Sequence, residues 1–251
     1  MSGYVDTHCH LDRYPSPVQA WREAVAAEVV TVAVTDLPSS YQLLATRFGR
    51  REGLRVALGF HPLRVVDSSA SELHLFRRKL SRTDYVGEVG LDFSKHGHAT
   101  REQQITLFER LLDEPQIRRK VVSVHARRAE RAVIDRLAAA RIHGILHWYT
   151  GPLSLVDQAL ATGLYFSINP AMARSAHGRR LIAAIPADRV LTETDGPYTR
   201  MGSRPSQPAD IPALVAQVAG IWKTPQAEVR QQIWNNMAEL FQRATTTTTA
   251  P

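Results

Sequence analysis

Residues 4–12 read YVDTHCHLD, and the fold of the chain turns on how this stretch is placed. It opens with aromatic and β-branched residues, the composition of a strand. Alternate side chains of a strand share a face, so Asp6, His8 and His10 project together. Cys9 then points the other way, into a strand–helix layer, as a buried thiol. One account is a surface strand with a polar wet face. The other is half of a metal site at the C-terminal end of a buried strand. Seven further β-rich runs bear on the choice: VVTVAVT (29–35), RVALGFH (55–61), DYVGEVG (84–90), VVSVHA (121–126), GILHWYT (144–150), LYFSIN (164–169) and VLTETD (190–195). Several are nearly continuous Val/Ile/Leu, the pattern of parallel strands buried on both faces.

Helical patterns lie between them. VQAWREAVAAE (18–28) sets Trp21, Ala24, Val25 and Glu28 on a mostly apolar stripe, and REQQITLFERLLDE (101–114) gathers Ile105, Phe108, Leu111 and Leu112 on one face. The stretches 130–140 and 153–163 read the same way, the second ending at a capping glycine. Two more helices are expected around 210–221 and 225–243. Eight strands alternating with helices in 251 residues predict an α/β (β/α)8 TIM barrel, one domain over residues 1–243 with an extra C-terminal helix. The rival, a doubly wound open sheet, lacks a Gly-rich phosphate loop after the first strand. The Thr-rich segment 244–251 reads as a disordered tail. The loop GPYTRMGSRPSQP (196–208) is expected to cover one end of the barrel.

Composition narrows the function classes. A single cysteine excludes an intrachain disulfide framework, and no run approaches the roughly 18 apolar residues of a membrane span. No basic-then-apolar leader is visible, so the cytoplasm is the expected compartment. The net charge is +7, carried by 27 Arg against 4 Lys. Arg clamps phosphate oxygens with two parallel donors, which suits a polyanionic partner. Arg-rich usage also arises from genome composition alone.

Barrel enzymes work at the C-terminal ends of their strands. There the chain places His8 and His10 (strand 1), His61 (strand 3), Glu88 (strand 4), His125 (strand 5), His147 (strand 6) and Asp195 (strand 8). Taken singly, each has a plain reading: His61 as a core histidine, Asp195 as a turn cap. A lone buried Glu88 would cost several kcal/mol unless paired or metal-bound. Together, His nitrogens and carboxylate oxygens are donors for Zn²⁺, Mn²⁺ and similar cations. The set His8, His10, Glu88, His125, His147 and Asp195 is too large for one tetrahedral ion. It matches two ions sharing a carboxylate, with Glu88 as the natural bridge.

These residues stand in blocks that resemble the TatD-like metal-dependent hydrolases of the amidohydrolase superfamily. The blocks are DTHCHLD (6–12), GFHP (59–62), VGEVGLD (86–92), SVHARRA (123–129), HWYTG (147–151), ETDGPY (193–198) and the closing NMAELF (236–241). The resemblance implies two divalent ions (Zn, Mn, Mg or Co). His8, His10 and Asp195 would hold the first, His125 and His147 the second, and Glu88 would bridge. Asp195 would also act as general base, and His61 would contact substrate phosphate. Asp6 and Glu193 would orient the ligands, and Arg127 could clamp a phosphate or close a strand-end ion pair. The chain departs from the family pattern at Trp148 and Tyr149, where a small residue and Phe are usual, and at FSKHGHA (93–99), with Lys95, His96 and His98. HWYTG, NPAM (169–172) and LTETDGPY are similar to the QatD subunits of Qat anti-phage defence systems. That similarity implies Qat partner proteins and a role against invading DNA.

Three functions remain open at this point. A metal-dependent DNase acting on DNA ends or single strands fits a pit-shaped mouth, with Trp148, Tyr149 and Tyr198 as stacking surfaces for bases. Core packing is the plain reading of each, and the favoured one for Trp148. A small-molecule amidohydrolase would usually carry a carboxylated lysine on strand 4. Of Lys79, Lys95, Lys120 and Lys223, none falls there. A non-catalytic docking subunit would not need an intact ligand set.

Overall fold

The Val-rich runs become parallel strands because each buries both faces. The computed structural model describes residues 3–246. β1 (Tyr4–Cys9), β2 (Val29–Ala33) and β3 (Leu54–Val56) form one parallel ladder. β4 (Tyr85–Asp92), β5 (Val121–Arg127), β6 (Gly144–His147), β7 (Tyr165–Ile168) and β8 (Val190–Thr192) form the other.

Two seams join the ladders into the expected eight-stranded barrel. At the first, Leu58 bridges to Val86, and the Gly87 N–H donates to Leu58 O at 3.0 Å. A Cβ on Gly59 would lie 1.5 Å from Thr35 O and 2.8 Å from Glu88 N. Only glycine lets three chain segments converge beside Glu88. At the second seam the Asp195 N–H donates to His8 O at 2.8 Å, and Thr192 Oγ1 to Val5 O at 2.6 Å. Asp6 reinforces it: its Oδ1 accepts the Thr194 N–H at 2.9 Å and its Oδ2 the Thr194 hydroxyl at 2.6 Å.

The helices are α1 (Pro17–Ala26), α2 (Pro38–Phe48), α3 (Ala70–Leu80), α4 (Arg101–Leu112), α5 (Glu130–Ala140), α6 (Val156–Ala161), α7 (Pro170–Arg174), α8 (Ala176–Ala184), α9 (Ile211–Trp222) and α10 (Gln226–Thr246). Their buried stripes, such as Phe108 and Leu111 of α4 and Val133, Ile134 and Leu137 of α5, cover the strands. The second half of the wall therefore buries its outer face as its continuous apolar runs require. α10 lies against β1, β5 and β8. Its buried Asn236 donates to the carbonyls of Ala187 (2.8 Å) and Val190 (2.7 Å).

Several boundaries differ from the sequence expectation. β3 ends at Val56, because residues 57–61 leave the ladder to reach β4. β6 ends at His147, because Trp148 takes a left-handed φ of +38°. Glu28 ends the apolar stripe of α1 early: it lies beyond the helix, exposed, at φ +58°. The helix expected over 153–163 is a 3₁₀ turn, Leu153–Leu155, followed by α6. Helices α2, α3, α7 and α8 were not foreseen. The 196–208 loop contains a two-stranded hairpin of β9 (Arg200–Met201) and β10 (Arg204–Pro205). α10 continues to Thr246 with Ala244 buried, so helix replaces the first part of the expected tail. The rest of that tail, 247–251, lies outside the described residues. Among the described residues no helix is long and apolar enough to cross a membrane.

Asn236→Ala removes the donor to the buried Val190 carbonyl. It should lower unfolding free energy by about 2–3 kcal/mol in a urea titration, without changing metal affinity.

Candidate metal centre

The C-terminal strand ends enclose a cavity of about 550 Å³. His10, His61, Glu88, His125, His147 and Asp195 line it, and His8 lies directly beneath. His8, His10, Glu88, His147 and Asp195 are buried, while His61 and His125 are partly exposed. Glu88 stands at the centre. Its Oε2 lies 3.5 Å from His8 Nε2 and 3.3 Å from His10 Nε2. Its Oε1 lies 2.6 Å from His125 Nδ1, 2.9 Å from His147 Nε2 and 3.4 Å from His61 Nε2. Asp195 Oδ1 joins the first group at 3.8 Å from His8 Nε2 and 3.6 Å from His10 Nε2. The expected six side chains thus meet as two groups of donors, one on each oxygen of Glu88. The rings of His8 and His147 stack between the groups at 3.9 Å.

The chemistry of the outer ring nitrogens tests whether these donors fit a cation. A neutral imidazole has one N–H and one lone pair, and a partner for one nitrogen fixes the role of the other. His8 Nδ1 contacts Ser123 Oγ at 2.8 Å, and His125 Nε2 contacts Asp92 Oδ2 at 3.1 Å. His10 Nδ1 faces Asp36 Oδ1 at 3.5 Å, and His147 Nδ1 faces Glu193 Oε1 at 3.6 Å. The last two are ion-pair separations rather than full hydrogen bonds, and both nitrogens lack a closer partner. In three rings a carboxylate stands on the outside, and in the fourth, His8, a hydroxyl that is able to accept, so a neutral ring protonated on its outer nitrogen offers the lone pair of its inner one. His61 is wired the opposite way. Its Nδ1 accepts the Leu63 N–H at 3.1 Å, which places the proton on the inner nitrogen, Nε2. His8, His10, His125 and His147 therefore fit a metal, and His61 fits a hydrogen-bond donor.

The charges point the same way. Burial pushes the Glu88 carboxyl up, but His61, His147, His10 and His125 outweigh it and hold it well below the usual carboxylate range. Burial opposes protonation of His147, and the carboxylates of Glu88 and Glu193 more than reverse that effect. His8, buried and beside His147, is pushed down to about 4 and stays neutral. Burial lifts Asp195 to about 7 against the pull of His147 and His10. Four carboxylates, of Asp36, Glu88, Asp92 and Asp195, line one pocket, with Glu193 behind it, and need compensating positive charge. Protons or a divalent cation can supply it.

Other residues singled out in the sequence divide. Arg127 lines the cavity, exposed, and no carboxylate among the described residues pairs with it, so the ion-pair account fails. Tyr198 stands at the mouth, 57% exposed, edge-on to His10 at 4.9 Å. Trp148 lines the cavity, whereas Tyr149 is buried against Phe166 with its hydroxyl on Pro152 O. Tyr149 thus follows the core-packing reading, and Trp148, partly buried against the core, also borders the cavity. Lys95, His96 and His98 lie outside the cavity lining. Cys9 is fully buried, its thiol pushed far up by burial. Glu193 touches no cavity space, but accepts from Trp148 N (3.0 Å), Asn169 Nδ2 (3.0 Å) and Ser167 Oγ behind His147. Asp6 holds the barrel seam rather than a ligand ring. Asp36, Asp92 and Ser123 were missed. Asp92 was legible in principle, since it follows Glu88 by four on the same face of β4.

Known proteins resemble the chain over nearly its whole length. Residues 5–242 match the TatD-related DNase family model. The chain belongs to that family, whose members are metal-dependent hydrolases. It is 32% identical to a 3'-5' ssDNA/RNA exonuclease TatD of Edwardsiella piscicida, over 84% of this chain and 86% of that one. It is 29% identical to the human deoxyribonuclease TATDN3, over 95% of this chain and 94% of the relative. In structure it is similar to YJJV, a TatD homologue of Escherichia coli. The TM-score is 0.85 at 24% identity, covering 95% of this chain and 97% of that one.

Because Asp92 fixes the outer nitrogen of His125, Asp92→Asn should weaken divalent-metal affinity about 10–100-fold in calorimetry. Mn²⁺ or Zn²⁺ should raise the thermal midpoint of the parent protein in a concentration-dependent way, and Glu88→Gln should lose that shift.

Proposed function

We propose that the chain is a divalent-metal-dependent phosphodiesterase that cuts DNA at unpaired ends or within single strands. The observation that carries this reading is Glu88, whose two oxygens face two separate sets of imidazole nitrogens. His8, His10 and Asp195 would hold one ion, His125 and His147 a second, and Glu88 would bridge them. When bound, the ions supply Lewis acidity that acidifies water and stabilises charge on phosphoester oxygens.

The remaining steps belong to the chain's own side chains. Asp195 takes the proton of the attacking water. His61 donates its Nε2–H to a phosphate oxygen, the role its hydrogen bond from Leu63 prepares. Arg127 clamps a neighbouring phosphate with a guanidinium that no carboxylate competes for. Tyr198 and Trp148 offer faces to unpaired bases. A cavity of about 550 Å³ recessed in a barrel end admits a strand terminus more readily than the middle of a duplex. The Edwardsiella piscicida relative, a 3'-5' exonuclease of single-stranded DNA and RNA, supports the same preference. A cytoplasmic location suits a chain with one buried, unpaired cysteine. The narrower assignment, to a subunit acting with Qat partner proteins against phage, rests on the blocks HWYTG, NPAM and LTETDGPY.

The test is cleavage of end-labelled single- and double-stranded DNA with added Mn²⁺ or Mg²⁺, beside RNA and a phosphate-free amide substrate. Single-stranded DNA should be cut fastest, the amide left intact, and EDTA should abolish cleavage. Full cleavage in chelator overturns the mechanism. Asp195→Asn should lower kcat about 10²–10⁴-fold, and Arg127→Ala should act mainly by raising KM.

A further inference from the structure

The opposite end of the barrel carries a second, larger recess, of about 1210 Å³, that the metal chemistry does not use. Its origin lies in the shortness of β3. The strand has three residues and does not itself pair with β4; the seam forms just beyond it, where Leu58 bridges to Val86 above the recess. Below that bridge β3 and β4 share no ladder, and the crossing is a side-chain bond from Thr83 Oγ1 to Val56 O at 2.9 Å. The Leu54 carbonyl there is taken by Arg55 Nη1 at 2.9 Å. α2 flanks the gap on one side and α10 on the other.

The floor is apolar and accessible, with Val30, Ala45, Val56 and Met237 all partly exposed. The rim is basic: Arg50, Arg51, Arg55, Lys79 and Arg82 against only Glu52 and Asp84. None of the five cations forms an ion pair with a carboxylate among the described residues. This differs from the mouth, where Arg13 is paired with Asp36 and Arg64 with Asp67.

We infer that this basal groove docks an acidic amphipathic segment of a partner protein. The segment's apolar face would lie on the aliphatic floor and its carboxylates would meet the arginine rim, a helix-in-groove mode. Charge complementarity selects the acidic partner, and the flexible Met237 thioether side chain suits an adaptable contact. A nucleic-acid strand fits less well. Tyr85 and Phe241 stack on one another at 5.9 Å, which takes up one face of each ring, and single-stranded DNA is set against the peptide in the test.

The test pans the whole protein against a displayed library of amphipathic helices about four turns long, with one apolar face and acidic, basic or neutral flanks. Acidic members should be enriched, and their binding should weaken in high salt. It should fall at least about tenfold on an Arg50→Glu, Arg55→Glu, Arg82→Glu variant whose melting midpoint and DNA cleavage match the parent. Arg82→Glu alone should give a smaller loss in the same direction. Bound peptide should protect segments 42–56 and 234–241 from hydrogen exchange. The proposal is overturned if no acidic helix is enriched, if the variants bind equally well, or if protection falls at the metal mouth. Protection of the groove by labelled single-stranded DNA but not by peptide overturns it as well.

Discussion

A carboxylate buried in a barrel costs several kcal/mol unless positive charge meets both of its oxygens. Glu88 is such a group, and the upper half of the molecule is arranged around it. Histidines from β5, β6 and the end of β1 point their inner nitrogens at its two oxygens; Ser123 and Asp92 bond the outer nitrogens of His8 and His125, and Asp36 and Glu193 face those of His10 and His147 at ion-pair distance. The result is alternating layers: a carboxylate, a shell of imidazoles, then mostly carboxylates again. Protons or divalent ions can balance this arrangement, and the inward lone pairs suit the ions.

The same contacts that close the barrel set the site. The hydrogen bond from the Asp195 N–H to His8 O is both a seam bond and the link that brings two ligand-type side chains together. Asp6 does not reach the cavity, yet its bonds to Thr194 fix the turn from which Asp195 projects. Gly59 performs the equivalent task at the other seam, where any side chain would push the Thr35 backbone, just past β2, away from Glu88. Stability and function therefore share residues here. Changes at the seams should be felt in both.

The two barrel ends differ in chemistry. At the mouth, acids balance most nearby cations and leave Arg127 as the open phosphate contact. At the base, five cations surround an apolar floor with only Glu52 and Asp84 among them. The net charge of +7 is thus not spread evenly, and composition alone gives no hint of that division.

The order of strands, the barrel class and the six ligand-type residues were legible because period-two patterning and strand-end position are local properties. The alternation implied helices between β2, β3 and β4 without bounding them: α2 carries the signals, a proline at its start and a buried stripe of Tyr41, Leu44 and Phe48, whereas α3 buries only Phe76 and Leu80. Tertiary structure alone decided which nitrogen of each histidine faces inward, because that depends on acceptors far away in sequence. His8 relies on Ser123, and His147 on Glu193. It also decided that Trp148 turns to the mouth and Tyr149 to the core, since the left-handed φ at Trp148 is held by the bond from its N–H to Glu193. The sequence by itself determined which donors exist and at which end of the barrel they lie. Their division into two sets about one carboxylate, and the open groove beneath β3, come from how the two ladders close.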